Sequence, residues 1–380
     1  MKVLTTLLFL FLNFLQCNAQ SISTVEYLGK EYLLFPESQD EKYMNDLTYW
    51  KENVIREKYK LDWKQNIDGQ WIQFYKNNDS IPAKIFELKK TKLNGEYKLF
   101  YENGKIETIE NYINEKRVGL KTNFYKSGKI RDSVIYRLDT AQNGHIFSNK
   151  IFLKTFYENG NYKKIQTFDS LGVKNGKWVD FYENGQVKIE QQYTNKNIDL
   201  RNSANKNSYG NRIEKYKYFY PNGQIKFSLN YSNDKIDSGL FVEYYSSGQK
   251  KISGNLKNGL RDSEWTEYYE NGKIKSKGNY SSGSYTVCGV VPFTDFYEYK
   301  VGEWSYYFVN GKIKANGIYE IKTKNVGTNC KGGANLNCGI LTKEWTFYKA
   351  DGNPISLKNV LENELIENQE ILRKRVYKTE

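Results

Sequence analysis

The sequence contains little histidine, proline or cysteine. Its 380 residues include one histidine, His145, with five prolines and four cysteines. A single imidazole excludes any site that needs two histidines, and so few prolines exclude collagen-like chains and Pro-rich disorder. The sequence has no Gly-x-Ser-x-Gly, His-Glu-x-x-His or P-loop motif. We therefore predict a protein that is not an enzyme and that uses no cofactor and no metal ion.

Aliphatic residues are also scarce, whereas aromatic residues are abundant. The residues AVILMFWC and glycine make up roughly 38 % of the chain, against about 45 to 50 % in ordinary globular domains. Aromatic residues reach 16 %, with 33 Tyr, 20 Phe and 7 Trp, and disordered chains are poor in such residues. This composition predicts a folded chain with a thin core and many half-exposed rings.

The chain is basic, with 57 Lys and Arg against 44 Asp and Glu and a formal net charge of +13. Such a surface attracts anions, but net charge alone identifies neither a fold nor a partner. No recognition helix, zinc-finger spacing or RNP-type motif accompanies the charge. We therefore do not expect nucleic acid to be the partner.

The N-terminus has the pattern of a secretory signal peptide. Lys2 precedes an apolar run over residues 3–15, and Cys17-Asn18-Ala19 offers small residues before a cut at Gln20. The run is too short to span a bilayer, and no later stretch is apolar enough to do so. We predict cleavage after residue 19 and a periplasmic, outer-surface or secreted protein. A lipid anchor at Cys17 is the alternative, although Gln16 is large for a lipobox.

Export permits disulfides, and three cysteines follow the predicted signal peptide: Cys288, Cys330 and Cys338. Cys330 and Cys338 lie in one Gly/Asn-rich stretch, and we predict a disulfide between them. A bond from Cys288 to either partner is the competing arrangement. Three cysteine thiols with no histidine or fourth cysteine nearby are an unfavourable ligand set for zinc.

One phrase recurs along the chain: two aromatic residues, any residue, Asn or Ser, then Gly. Eight clear copies begin at Phe100, Phe124, Phe156, Phe181, Phe219, Tyr244, Tyr268 and Tyr307. Decayed copies occupy residues 69–75 and 345–352. The second aromatics of neighbouring copies are about 24 residues apart, as in Tyr101 and Tyr125. Longer intervals indicate insertions near residues 137–153, 195–212, 281–300 and 322–341, which we expect to form loops.

Each unit is typical of a β-hairpin, because Asn-Gly between aromatic and β-branched runs favours a two-residue type I′ turn. Such a turn at Asn184-Gly185 pairs Tyr182 with Val187 and Phe181 with Lys188. It places one set of side chains on a core face: Trp178, Tyr182, Val187, Ile189 and Tyr193. The opposite, half-solvated face then carries Val179, Phe181, Lys188, Glu190 and Gln192. A glycine six residues before the second aromatic, as at Gly176, suits a bend from one hairpin into the next.

The unit Gly-x-Trp-x-x-Phe/Tyr-Tyr-x-Asn-Gly-x-Ile resembles the variant form of the MORN repeat over about residues 69–352. The resemblance implies scaffolds that bind proteins or lipid head groups, and some proteins with this repeat are antitoxin or immunity partners of bacterial toxins. This chain departs from the common pattern at its insertions, at Lys250 and at Pro354. We expect continuous strand pairing to weaken towards the C-terminal end.

The predicted fold is all-β: roughly ten tandem hairpins in an elongated, twisted antiparallel sheet with small helical or irregular caps. Residues 20–68 form an N-terminal cap region, with a helix expected around residues 40–58. Residues 69–352 form the array and residues 353–380 a cap or tail. In that tail, residues 361–376 are compatible with a capping helix or a last strand.

The two-residue turn places the first aromatic of each phrase opposite a cation in seven of the eight copies. We name these pairs the candidate ladder: Phe124 with Arg131, Phe156 with Lys163, Phe181 with Lys188, Phe219 with Lys226, Tyr244 with Lys251, Tyr268 with Lys275 and Tyr307 with Lys314. One interpretation is cation–π stabilisation of about 0.5 to 1 kcal/mol for each pair. The other is a strip that binds a protein or an anionic envelope component such as a glycan or lipid head group.

These patterns predict a non-catalytic, exported binding or scaffolding protein. Toxin neutralisation is the alternative within binding. An envelope-polymer hydrolase is the alternative among enzymes, since two carboxylates that converge only in space leave no motif. Unpaired edge strands leave the oligomeric state open.

Overall fold

The computed structural model describes residues 24–34, 67–75, 78–141, 143–194, 211–289, 291–328, 330–342 and 344–355. Every regular element within these ranges is a β-strand, which confirms the all-β hairpin-repeat prediction. The chain divides into two compact units, residues 1–172 and residues 173–380. The expected helix at 40–58 and the segment 361–376 lie outside the described residues.

The first unit begins with a short hairpin and continues as antiparallel neighbours in chain order. Its strands are β1 (Thr24–Tyr27), β2 (Lys30–Leu34), β3 (Gly69–Tyr75), β4 (Asn78–Lys89), β5 (Lys92–Phe100), β6 (Ile106–Ile113), β7 (Lys116–Phe124), β8 (Ile130–Thr140), β9 (Ile146–Phe156) and β10 (Tyr162–Thr167). The pairing of β2 with β3 is parallel, with Leu33 beside Trp71. The described part of the N-terminal cap region is thus a β-hairpin added to the first repeat.

The second unit continues the hairpin series. Its strands are β11 (Gly176–Phe181), β12 (Val187–Thr194), β13 (Asn211–Phe219), β14 (Ile225–Ser232), β15 (Lys235–Ile236), β16 (Gly239–Tyr244), β17 (Lys250–Lys257), β18 (Leu260–Tyr268), β19 (Ile274–Val287), β20 (Phe293–Tyr307), β21 (Ile313–Val326), β22 (Ala334–Leu341), β23 (Thr346–Tyr348) and β24 (Pro354–Ile355). Pairing continues past the atypical positions, since Tyr244 pairs with Lys250 and Tyr348 with Pro354. At the C-terminal end, β23 pairs with β21 and with β24 at only two positions each, so pairing weakens there as expected.

The insertions that fall in the described ranges extend strands and do not form loops. Residues 137–153 lengthen the β8–β9 hairpin, in which Arg137 pairs with Asn149. Residues 281–300 lengthen β19 and β20, and residues 322–341 build β21 and β22. Their Tyr, Thr, Val and Ile residues favour the pleated conformation. The insertion at 195–212 lies mostly outside the described residues.

The Asn-Gly turns are longer than predicted. The Gly185 amide donates to the Tyr182 carbonyl at 2.9 Å and the Tyr182 amide to the Gln186 carbonyl at 2.8 Å. Gly185 has a φ of 89°, whereas Asn184 is not among the residues with positive φ. This geometry is a type I turn followed by a glycine bulge. The bulge pairs Phe181 with Val187, and Asp180 pairs with Ile189.

Two-residue turns with positive φ at both positions occur between repeats instead. Asn114 and Glu115 have φ values of 46° and 66° and connect β6 to β7. Asn233 and Asp234, with values of 50° and 63°, connect β14 to β15. The type I′ turn therefore joins hairpins, and the Asn-Gly turn closes each one.

Each unit has its own aromatic core, in which one ring from nearly every strand contacts the next. In the first unit the rings are Trp71, Phe86, Tyr97 and Tyr112, with centroids 6.0 to 6.4 Å apart. In the second unit they run Tyr216, Phe227, Phe241, Trp265, Tyr280, Trp304, Tyr319, Trp345 and Phe347. Each such pair contributes about 0.5 to 1.5 kcal/mol beyond area burial.

Glycine makes room for the tryptophans of the second unit. Gly254 pairs with Trp265 and Gly278 with Trp304, and a Cβ at either glycine would overlap the indole. The Trp265 and Trp304 Nε1–H groups each donate to a strand carbonyl at 3.0 Å, so these rings are buried without losing a hydrogen bond.

Candidate functional site

The glycine bulge changes the partners of the candidate ladder. The first aromatic of each phrase pairs with the residue before the predicted cation: Phe124 with Ile130, Phe156 with Tyr162, Phe181 with Val187, Phe219 with Ile225, Tyr244 with Lys250, Tyr268 with Ile274 and Tyr307 with Ile313. The predicted pairings with Arg131, Lys163, Lys188, Lys226, Lys251, Lys275 and Lys314 were wrong. The reason is the extra turn residue, which shifts the return strand by one position.

Five of the predicted cations instead lie over the second aromatic of their own phrase. The side chains of Lys163, Lys188, Lys226, Lys251 and Lys314 are 5.4 to 6.0 Å from the ring centroids of Tyr157, Tyr182, Tyr220, Tyr245 and Phe308. Ion pairs hold Arg131 to Asp132 at 3.1 Å and Lys275 to Glu267 at 3.6 Å. Cations and rings do pair in these hairpins, but through the second ring.

The first aromatics and their strand partners form a different surface, which we name the outer row. In the first unit it comprises Phe100 with Ile106, Phe124 with Ile130 and Phe156 with Tyr162; in the second, Phe181 with Val187, Phe219 with Ile225, Tyr244 with Lys250, Tyr268 with Ile274 and Tyr307 with Ile313. Ile130 is 43 % exposed and Ile313 is 40 % exposed. Apart from Lys250, the outer row is apolar and partly open to solvent.

The repeats are joined to one another at their turns. The second aromatic of one repeat donates its hydroxyl hydrogen to the carbonyl of the first aromatic of the next, as from Tyr220 to Tyr244 at 2.8 Å. The turn asparagine donates across the same gap, as from Asn222 to the Ser246 carbonyl at 2.8 Å. These bonds hold successive parts of the outer row in register within each unit.

A second set of cations, which sequence reasoning missed, lies at the start of several hairpins or within their strands. A basic residue two positions before a residue with positive φ, such as Gly119 or Gly302, contacts the last tyrosine of its own hairpin. The pairs are Arg117 with Tyr136, Lys174 with Tyr193, Arg212 with Tyr231, Arg261 with Tyr280 and Lys300 with Tyr319, at 3.9 to 6.0 Å. Their fixed spacing from Gly119, Gly176 and Gly302 is the signal that could have revealed them.

Two buried carboxylates neutralise two of these cations. Glu298 is 1 % exposed, and its Oε1 lies 2.6 Å from an Arg261 guanidinium nitrogen. Glu110 is 2 % exposed and accepts hydrogen bonds from Arg117 at 2.8 Å and from the Tyr112 hydroxyl at 2.9 Å. Burial raises the pKa of Tyr112, as does the adjacent Glu110. Both carboxylates are bound by their partners, so the arrangement is structural.

An open groove in the second unit has a mixed charge. It is lined by Lys177, Glu190, Gln191, Gln192, Glu214, Lys215 and Lys217. Glu190 accepts from Lys177 at 2.8 Å and from Lys217 at 3.4 Å. These hydrogen bonds and charges lower the pKa of Glu190, with the Lys177 hydrogen bond as the largest cause. The carboxylate is thus held ionised between two lysines.

The cysteine prediction was wrong. Cys330 is bonded to Cys288, and Cys338 is a free thiol. The competing arrangement therefore holds, because β21 and β22 place Cys338 beside Lys322 in the ladder, away from the hairpin end that carries Cys330.

No described group of three or more His, Cys, Asp or Glu side chains could hold a metal ion. His145 lies in the exposed turn between β8 and β9, where its amide donates to the Asn143 side chain at 3.1 Å. No helix among the described residues is long and apolar enough to cross a membrane.

Comparison with protein families finds the MORN repeat variant at residues 93–114, 174–195, 215–233 and 261–282. These segments cover the hairpins β5–β6 and β11–β12, most of β13–β14, and β18 with the first part of β19. MORN repeats are commonly binding or scaffolding modules, and the family is generally non-catalytic. No curated protein matches the chain.

Two similar solved structures carry no inference about fold or function, because their TM-scores are low. One is a crystal structure of TcdB2-TccC3-Cdc42, with 10 % identity, a TM-score of 0.12 and 68 % of this chain covered. The match spans only 18 % of that longer chain. The other is a porin-like protein from Bacteroides uniformis, with 7 % identity, a TM-score of 0.15, and 58 % of this chain and 91 % of that chain covered.

Proposed function

We propose that this chain, a MORN-repeat-variant protein, is a non-catalytic, exported module that binds a protein partner through its outer row. The observation that carries the proposal is the pairing of seven of the eight first aromatics with an aliphatic or aromatic residue, as in Phe219 with Ile225 and Tyr307 with Ile313. Hydrogen bonds between neighbouring turns, such as those from Tyr220 and Asn222, connect these pairs from one repeat to the next. A row of rings and aliphatic side chains fits an apolar protein surface.

The placement of the cations favours a protein partner over an acidic glycan. Lys188 and Lys226 lie over the rings of Tyr182 and Tyr220, and Lys251 is 3.0 Å from the Glu243 carboxylate. A polyanion would have to compete with these internal partners. An apolar protein surface would cover the outer row without breaking them, and aromatic residues are enriched at protein interfaces.

Export rests on the N-terminal pattern. Lys2, the apolar run over residues 3–15 and Cys17-Asn18-Ala19 support cleavage before Gln20. The partner would then be an envelope or extracellular protein. N-terminal sequencing of the protein from its native host tests this part separately, since an N-terminus at Met1 would contradict export through this signal.

Affinity capture from envelope extract tests the surface. The mature protein is compared with a triple outer-row variant, Ile225→Ser, Ile274→Ser and Ile313→Ser. The matched control is a cation variant with Lys188→Gln, Lys226→Gln, Lys251→Gln and Lys275→Gln. A captured protein is identified by mass spectrometry, produced in pure form and titrated against all three proteins.

We expect the outer-row variant to bind the purified partner at least tenfold more weakly and the cation variant to bind it like the unmodified protein. Thermal unfolding checks that both variants fold. The reverse order, with binding lost only in the cation variant, would contradict the outer row as the contact surface.

A further inference from the structure

The second unit carries an arm that the repeats do not require. It consists of residues 281–301 of the β19–β20 hairpin and residues 320–341 of the β21–β22 hairpin. The Cys288–Cys330 disulfide joins the ends of the two hairpins. A hydrogen bond of 2.8 Å from the Asn337 amide to the Tyr297 hydroxyl joins them nearer their base. The disulfide and this hydrogen bond therefore hold the two hairpins of the arm together.

The end of the arm is apolar and exposed. Val291, in the connection between β19 and β20, is 77 % exposed, and Phe293, the first residue of β20, is 57 % exposed. Neither side chain contributes to the core of the second unit. We name Val291, Phe293 and Lys331 the arm tip.

The only charge in the arm tip is positive. Residues 288–292 and 327–333, the two connections that the disulfide joins, contain one charged residue, Lys331. Lys331 is exposed and adjacent to the disulfide-bonded Cys330. The nearest acidic residue along the chain is Asp295, whose carboxylate accepts hydrogen bonds from the Tyr285 hydroxyl and the Phe296 amide. The tip therefore combines two apolar side chains with one exposed ammonium group.

We propose that the arm tip docks onto the surface of an anionic lipid bilayer. Val291 and Phe293 enter the boundary between head groups and acyl chains, and Lys331 stays among the anionic head groups. Apolar side chains and nearby cations are the two attractions by which peripheral proteins adsorb to such a surface. The net charge of +13 adds long-range attraction to an anionic bilayer.

The positive charge and the small apolar area of the arm tip favour a lipid bilayer over a protein as its binding partner. Two apolar side chains at a hairpin end are too few to form a standard protein interface, which needs about 800 Å² from each partner. They suffice for weak, reversible adsorption when a cation assists. The disulfide joins the connection that carries Lys331 to the one that carries Val291, so both attractions act at the same end of the arm.

Vesicle sedimentation with the purified mature protein tests the proposal. Vesicles of phosphatidylglycerol with phosphatidylcholine are compared with vesicles of phosphatidylcholine alone. We expect binding to the anionic vesicles, at least tenfold weaker binding to the neutral ones, and a loss of at least tenfold in the double variant Val291→Ser and Phe293→Ser. The variant Lys331→Gln should lose affinity for anionic vesicles and leave weak neutral binding unchanged.

The control removes two equally exposed apolar side chains elsewhere in the same unit. Leu240 and Val309 are 75 % and 59 % exposed, and the double variant Leu240→Ser and Val309→Ser should bind like the unmodified protein. No binding of the unmodified protein to anionic vesicles, or equal losses in tip and control variants, would overturn the proposal. The assay contains no protein partner, so its outcome is independent of the outer row.

Discussion

The hydroxyl of Tyr182 donates a hydrogen bond of 2.7 Å to the carbonyl of Phe219, 37 residues later in the chain. The equivalent bond joins Tyr220 to Tyr244, only 24 residues later, at 2.8 Å. The longer interval contains the insertion near 195–212. Contact between repeats is therefore preserved where the length of chain between them differs.

Removing one of these hydroxyls should weaken the array modestly. Tyr220→Phe leaves the Tyr244 carbonyl without this donor, and we expect a loss of about 1 kcal/mol in the free energy of unfolding. Urea denaturation measures the change. Tyr268→Phe is the control, because Tyr268 takes part in the equivalent bond through its backbone carbonyl, which the substitution keeps, and it should cost less. Equal losses in both variants would contradict a role for the bond.

Breaking the Arg261–Glu298 ion pair should lower the free energy of unfolding more than removing the Tyr220 hydroxyl does. Glu298 is 1 % exposed, so Glu298→Gln leaves a buried guanidinium without its counter-charge, and we expect destabilisation of about 3 kcal/mol or more. The double variant Arg261→Met with Glu298→Leu should be closer to the unmodified protein than Glu298→Gln. Chemical denaturation of the three proteins decides this, and a double variant less stable than the single one would contradict the interpretation.

Restoring glycine at a strained bulge should stabilise the protein. Ser263 has a φ of 60° where other repeats carry glycine, such as Gly302 with a φ of 69°. We expect Ser263→Gly to raise the free energy of unfolding by about 0.5 to 1 kcal/mol and Gly302→Ala to lower it by a similar amount. Thermal unfolding measures both. A lower melting temperature for Ser263→Gly would show that bulge strain is not the dominant effect there.

Stability should rise with pH above neutrality because of Lys84. This side chain is 5 % exposed, and burial lowers its pKa to about 7. Between pH 7 and the ordinary lysine pKa of 10.5, the unfolded chain holds a proton that the native chain has released. Raising the pH in this window therefore favours the native state, by at most about 1.4 kcal/mol per pH unit.

Urea denaturation at pH 7, 8 and 9 checks this dependence. The variant Lys84→Met should abolish the rise that Lys84 causes. A pH profile that is identical in the two proteins would contradict the assignment.

The disulfide should stabilise the second unit. Cys288 and Cys330 are 42 residues apart in the chain, and closing a loop of that length removes up to about 4 kcal/mol of unfolded-state entropy. The double variant Cys288→Ser and Cys330→Ser should be less stable by up to that amount, whereas Cys338→Ser should be nearly neutral. Mass spectrometry after alkylation should find Cys338 labelled in the unreduced protein, and labelling of Cys330 instead would contradict this connectivity.

Repetition made the fold predictable from the sequence. A hairpin signal that recurs about every 24 residues reduces local ambiguity, and the alternation correctly placed Trp178 and Tyr193 together in the core, although Val179 is buried as well. Val187 was placed on the wrong face, since a side-chain period of two turns a one-residue bulge into a change of face. The type I′ turn was assigned to Asn184-Gly185 because the same dipeptide fits both turn types.

The sequence by itself determined the repeat class, the hairpin as the unit and the aromatic composition of the core, since these depend on local patterns that recur. Only the tertiary structure decided which residues share a surface. The shift from Phe181 opposite Lys188 to Phe181 opposite Val187 comes from hydrogen bonds across the turn. The pairing of Cys288 with Cys330 and the contact of Arg261 with Glu298 arise where distant strands meet. Such contacts depend on how hairpins pack in space, and the spacing of residues along the chain does not predict that packing.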